Sequence, residues 1–189
     1  MKTINITPCL WFDGQAEQAA KYYISIFKKK SKIKNILRWG QVNDEHAGKP
    51  GDVLMVEFEI FGQTFAALNG GPQYKFNEAI SFQVPCKTEK ELDYYWAKLT
   101  VGGDKAVQQC GWLKDKYGVS WQVFPAKMPQ MLGSKNSKKA DRVMTAMIGM
   151  KKIDFLSKKA IKSPERGSQF FPVKRLSHYR LYLEMVKQV

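Results

Sequence analysis

The chain repeats one strand-and-helix pattern at an offset of 72 residues, and this repeat restricts the folds that it can adopt. Each copy begins with a short apolar strand, predicted at residues 7–12 and 79–84. A helix follows, predicted at residues 15–28 and 88–99, with large apolar residues spaced three and four apart. The helices carry matching features: Glu17, Tyr22, Tyr23 and Phe27 in the first and Glu89, Tyr94, Tyr95 and Leu99 in the second. The repeat predicts two modules of one architecture.

Further strands follow each helix. They are predicted at residues 32–39, 52–61 and 63–68 in the first module, and are clear at 106–113 and 118–124 in the second. Gly62 is placed in a hairpin turn between two of them. Thr88, with Glu91 three residues later, is typical of a capping box at the start of the second helix. The pattern predicts an α+β fold of two tandem βαβββ modules.

The remainder of the chain is predicted to be helical. The expected units are residues 1–75 for the first module, 76–127 for the second, 128–161 for a C-terminal helical segment and 162–189 for a basic extension. A methionine-rich apolar stripe predicts a helix over residues 141–159, and a last helix is expected at 176–186. We interpret both tyrosine pairs as residues that pack against the sheets.

Charge and composition narrow the class of protein. The net charge is +14, and residues 151–189 hold ten Lys or Arg against three Asp or Glu. A basic tail suits an anionic surface, but no nucleic-acid recognition motif accompanies it, so we favour a solvated tail and expect no nucleic-acid partner. The sequence has no run of about 18 apolar residues, the length that would cross a membrane. Three cysteines without CxxC spacing favour the reducing cytoplasm.

The segment DKYGVSWQVFP, residues 115–125, predicts a tight turn followed by a strand. It resembles the last strand of the second module in the vicinal-oxygen-chelate superfamily, which includes glyoxalases, bleomycin-resistance proteins and extradiol dioxygenases. Together with TPCLWFDGQAEQAAKYY, ALNGGP, CGWLKDKYGVSWQV and RVMTAMIGMKKID, it is similar to the PhnB-like branch, across residues 3–161. The resemblance implies cupped mixed sheets, a homodimer and the branch's usual label, 3-demethylubiquinone methyltransferase.

The resemblance also implies where a metal would bind in related enzymes. The corresponding positions here are Thr7 or Pro8, a residue near Asn69, Ala79 or Ile80, and Gln122, where related metal enzymes carry a glutamate. None of these is His, Asp, Glu or Cys, and an amide is a weak ligand for a divalent cation. The two histidines, His46 and His178, show no metal-ligand spacing. We therefore expect no metal and no cofactor.

Aromatic and amide residues are the best candidates for a binding site. Trp11, Trp39, Trp112 and Trp121 lie in or beside predicted strands, and alternation places Trp121 and Gln122 on opposite faces. The resemblance implies that Gln122 points into the cupped sheet. The Asn69–Pro72 turn has two interpretations, either the exit of a hairpin or a source of backbone N–H groups for an oxyanion. The predicted ligand-binding residues are Trp11, Asn69, Gly70, Trp112 and Gln122.

Two classes of function remain open from the sequence. The favoured one is a metal-independent protein that binds a small organic ligand. The alternative is an enzyme of the same superfamily, either a methyltransferase, as the label says, or a lyase or isomerase. No nucleotide-binding βαβ unit or Gly-rich strand-to-helix loop for S-adenosylmethionine is visible. Cys9 and Cys110 lie beside apolar residues and are interpreted as unreactive thiols.

Overall fold

The computed structural model describes residues 6–41 and 48–155, which form two mixed sheets and four helices. In chain order the elements are β1 (Cys9–Phe12), α1 (Ala16–Phe27), β2 (Lys32–Arg38), β3 (Val53–Ile60), β4 (Gln63–Asn69), β5 (Phe82–Cys86), α2 (Glu89–Leu99), β6 (Trp112–Lys114), β7 (Ser120–Pro125), α3 (Met128–Leu132) and α4 (Ser137–Ile148). None of the helices in these ranges is long and apolar enough to cross a membrane. The predicted α+β class is confirmed.

The first sheet has the strand order β1-β4-β3-β2. Strand β1 runs parallel to β4, and the other neighbours are antiparallel. The turn between β3 and β4 consists of Phe61 and Gly62, both with positive φ, at 51° and 84°. Two left-handed residues match the right-handed twist of a tight hairpin, so the turn predicted at Gly62 is confirmed.

The second sheet has the order β5-β7-β6. It therefore holds three strands in the described residues, where a βαβββ module would supply four. The strand predicted at residues 106–113 is present only at its end, where Trp112 and Leu113 belong to β6. The prediction is wrong for residues 106–111, because the chain reverses at Cys110 and Gly111, whose φ angles are 52° and 84°. Gln109 and Trp112 pair across this turn. Cysteine is uncommon at positive φ, so the sequence carried little sign of a turn there.

Helices α1 and α2 begin close to where the sequence placed them. Helix α2 starts with the predicted capping box, in which Thr88 accepts a hydrogen bond from the Glu91 backbone while the Glu91 side chain reaches back to the Thr88 backbone. The helix predicted over 141–159 is displaced: α4 begins earlier, capped by the Asn136 side chain, and ends at Gly149. The helix expected at 176–186 lies outside the described residues.

The main core lies between the two sheets, together with α1 and α2. In β3 the residues Val56, Phe58 and Ile60 are buried, and in β7 the residues Trp121 and Val123 are buried. All of them belong to one apolar cluster. Each sheet therefore turns one face toward the helices and the opposite face away from the core.

The repeated tyrosines join the two helices reciprocally. The Tyr22 hydroxyl of α1 donates to the Lys98 carbonyl of α2 at 2.8 Å, and the Tyr94 hydroxyl of α2 donates to the Ile26 carbonyl of α1 at 3.0 Å. These four positions correspond through the 72-residue repeat. The hydrogen bonds satisfy carbonyls in the last turns of both helices, where intrahelical donors run out.

A buried carboxylate holds the second module against α1. Oδ2 of Asp115 accepts hydrogen bonds from the Tyr23 hydroxyl at 2.9 Å and from Nε1 of Trp121 at 2.8 Å. Its Oδ1 accepts from the backbone N–H groups of Tyr117 at 2.8 Å and Val119 at 3.1 Å. Burial raises the pKa of Asp115 above its ordinary value, although the four hydrogen bonds oppose the rise.

We predict that Asp115→Asn lowers the free energy of unfolding by about 2 to 4 kcal/mol. An amide replaces one acceptor oxygen with a donor, so either the Trp121 indole or two backbone N–H groups lose their acceptor. Urea unfolding measures the change. Asp141→Asn is the control, because Asp141 is exposed on α4, and it should shift stability by less than about 0.5 kcal/mol. Equal stability of the two variants would contradict the structural role of the carboxylate.

Candidate functional site

The first group of predicted site residues lies at one corner of the first sheet. Trp11 in β1 is paired with Leu68 in β4, on the face turned away from the core. Its Nε1 donates to the Gly71 carbonyl at 2.8 Å, and its ring meets the ring of Tyr74 edge-on at 5.0 Å. A Cβ on Gly70 would lie 2.2 to 2.5 Å from the Trp11 ring. Only glycine therefore leaves room for the indole in this position.

The Asn69 side chain is engaged within the protein. Its Oδ1 accepts a hydrogen bond from the Ala16 backbone at the start of α1, at 2.9 Å, and its Nδ2 donates to the Val53 carbonyl at 2.9 Å. The amide thus ties β4 to both the helix and β3. These bonds give Asn69 a structural role, in addition to the ligand contact predicted for it.

The second group lies on the other sheet. Trp112 in β6 and Gln122 in β7 are directly paired, which places both side chains on the same face. Nε2 of Gln122 donates to Oγ of Ser81 at 2.8 Å. Trp121 lies on the opposite face, where it is buried and its ring meets those of Tyr23 and Phe27 in α1. The alternation predicted for Trp121 and Gln122 is therefore present.

The five predicted residues thus form two groups within one chain. Trp11, Asn69 and Gly70 belong to the first sheet and the turn after it, whereas Trp112 and Gln122 belong to the second sheet. Both groups are on or beside sheet faces that turn away from the core. A site that used all five would have to be completed by bringing two such faces together.

A cavity of about 710 Å³ opens beside the first group. Asn69 and Gly70 line it, and so do residues that sequence reasoning did not select: Glu17, Gln18, Lys21, Trp39, Asp52 and Gln73. Its volume is within the range of small-molecule pockets. Lys21 pairs with Glu17 at 2.7 Å, and this hydrogen bond lowers the pKa of Glu17. Only the fold assembles this cavity, because its walls come from α1, the segment after β2, the start of β3, and the end of β4 with the turn that follows it.

The described residues contain no cluster of metal-binding side chains, and the two cysteines considered from the sequence are not activated. Within residues 6–41 and 48–155 no group of three or more His, Cys, Asp or Glu residues could hold a metal ion. His46 and His178 lie outside those ranges. Burial raises the pKa of Cys9 and of Cys110, so both thiols are protonated and weakly nucleophilic near neutral pH.

We predict that Gly70→Ala destabilises the protein by about 1 to 3 kcal/mol, because the added methyl group overlaps the Trp11 ring and forces it to move. Gly40→Ala is the matched control, since a Cβ at Gly40 would meet nothing within 4 Å. The control should be neutral or slightly stabilising. Urea unfolding of both variants measures the difference, and similar midpoints would refute the close approach at Gly70.

Comparison with known proteins places this geometry in a family. The family described as 3-demethylubiquinone-9 3-methyltransferase matches residues 4–124, which end within β7. The PhnB protein of Bacillus cereus, which carries the same description, is 36% identical, with a TM-score of 0.54 over 64% of this chain and 99% of that protein. A protein of Pseudomonas aeruginosa shares the fold at 16% identity, with a TM-score of 0.51 over 65% and 98% of the two chains. No curated protein matches the chain.

The family match covers both sheets and the paired helices, while α3 and α4 lie beyond it. The corner at Trp11 and Gly70 and the Asp115 turn with its strand all fall inside the matched range. The chain belongs to the PhnB-like, 3-demethylubiquinone-9 3-methyltransferase family of the vicinal-oxygen-chelate superfamily.

Proposed function

We propose that this PhnB-like protein binds a small organic molecule without a metal ion. The observation that carries the proposal is the pairing of Trp112 with Gln122 on the outward face of the second sheet. An indole supplies a flat apolar surface, and an amide supplies both N–H donors and an acceptor oxygen that orient a ligand. The bond to Ser81 uses one N–H of the Gln122 amide, and no group within residues 6–41 and 48–155 donates a hydrogen bond to its Oε1.

The side chains at the positions that correspond to metal ligands in related enzymes argue against a metal ion. Of the positions where related enzymes carry metal ligands, only Asn69 and Gln122 have side chains with amide oxygens, and Oδ1 of Asn69 already accepts a backbone hydrogen bond. A neutral amide gives a divalent cation much less stabilisation than a carboxylate or imidazole. The residues present do not fit the family's usual metal site, so no step of the proposed function involves one.

We further propose that the ligand lies between two copies of the chain. The outward face of the first sheet carries Met55, Leu68 and Leu37, and Leu37 is 43% exposed. Burying such a face against the outward face of a partner's second sheet would cover this apolar surface. It would also bring Trp11 and Gly70 of one chain near Trp112 and Gln122 of the other.

A thermal-shift screen with small organic metabolites, S-adenosylmethionine and divalent metals tests the binding role. We expect at least one organic compound to raise the unfolding temperature, because a ligand that binds only the native state stabilises it. Gln122→Leu should abolish that shift, whereas Gln130→Leu on exposed α3 should retain it. A shift with S-adenosylmethionine that requires Trp112 or Gln122 would favour the methyltransferase alternative.

We predict that the purified, dialysed protein contains less than about 0.1 transition-metal ion per chain, because its donor set is neutral and partly engaged. Elemental analysis after overnight dialysis without chelator measures the content. Binding of close to one zinc, nickel or iron per chain would overturn the metal-free proposal.

We predict a dimer at micromolar concentration, with twice the 21.7 kDa mass of one chain. Leu37→Glu should shift sedimentation toward the monomer, because it places a charge on the proposed contact face. Val101→Glu is the control, since Val101 is 61% exposed but follows α2 on another surface. A wild-type monomer would contradict the proposed assembly, and so would equal effects of the two variants.

A further inference from the structure

A second cavity lies between α1 and α2, away from every residue of the proposed ligand site. Its volume is about 480 Å³, and its walls include the two reciprocal tyrosines, Tyr22 and Tyr94. Ile26 and Val101 add apolar surface, and Val101 is 61% exposed. A cavity of this size accommodates a small organic molecule. We call it the interhelix groove.

The charge of the interhelix groove is entirely positive. Lys28 and Lys98 line it, and none of its described lining residues is acidic. A third cation is adjacent, because Nζ of Lys116 lies 4.5 Å from the centre of the Tyr22 ring. Burial, with a smaller contribution from Asp115, raises the pKa of Tyr22 to about 12, so its phenol is neutral at physiological pH. The neutral Tyr22 side chain therefore adds no negative charge that would repel an anion.

No carboxylate of the described residues forms an ion pair with either groove lysine. The ion pairs formed within residues 6–41 and 48–155 involve Lys21, Lys34, Lys114 and Lys152, and not Lys28 or Lys98. Both groove lysines stand where a helix ends, α1 at Phe27 and α2 at Leu99. The Tyr22 and Tyr94 hydroxyls donate to two backbone carbonyls in these last turns, and this satisfies part of the negative end of each helix dipole without the lysine ammonium groups.

We propose that the interhelix groove is a second binding site, selective for a small organic anion with an aromatic or other apolar body. The body lies against the tyrosine rings, Ile26 and Val101, and the anionic group lies near Lys28 and Lys98. The site goes beyond the proposed function, because it shares no residue with Trp112, Gln122 or the Trp11 corner. It also requires only one chain, whichever oligomer forms.

Isothermal titration of the full-length protein with naphthoate tests the proposal, with the uncharged naphthamide as a matched ligand. Naphthoate should bind, and naphthamide should bind about fivefold more weakly, since one exposed charge contact contributes up to about a factor of five. Affinity for naphthoate should fall as salt is added. Equal binding of the two compounds, or no binding of naphthoate, would overturn the proposal.

Two variants locate the site. Lys98→Gln should weaken naphthoate binding by about fivefold, while Lys90→Gln, an exposed lysine on the first turn of α2, should change it by less than about twofold. Val101→Trp keeps the charge but fills the groove, so it should abolish binding while Gln122→Leu leaves it intact. Unchanged affinity in Val101→Trp, with a wild-type unfolding midpoint, would show that naphthoate binds elsewhere.

Discussion

The Asp115 carboxylate is the interaction on which the arrangement of the two sheets depends. It accepts hydrogen bonds from α1 through Tyr23, from β7 through Trp121 and from the backbone of its own turn. A buried carboxylate has a large desolvation cost, which is offset only when its lone pairs are satisfied. The donors Tyr117, Val119 and Trp121 lie near Asp115 in sequence, but Tyr23 is 92 positions away, so its bond can form only after both modules are in place.

The repeat gives this arrangement an internal near-symmetry. Tyr22 and Tyr94 occupy corresponding positions and each donates to the opposite helix, so the two helices are joined by the same contact used twice. The second tyrosines differ: Tyr23 bonds to Asp115, while Tyr95 stacks on Phe27 at 5.3 Å. Equivalent sequence positions therefore have different roles in the two modules.

Placing the helices in the core determines where ligands can bind. The sheets turn Trp11, Trp112 and Gln122 outward, so the proposed ligand site is incomplete in a single chain. The interhelix groove, by contrast, is formed within one chain and is lined by cations. A neutral, aromatic site and a cationic groove would favour different ligands, which is why binding at one can be tested independently of the other.

The sequence by itself determined the features that depend on neighbours along the chain. Apolar spacing located α1 and α2, the Thr88 cap followed from local hydrogen bonding, and period-two alternation separated Trp121 from Gln122. Only the tertiary structure decided that the chain reverses at Cys110, whose N–H donates to the Met150 carbonyl, and that the Asn69 amide is already engaged. Those outcomes rest on hydrogen bonds between distant segments, and local periodicity carries no information about which distant groups will meet.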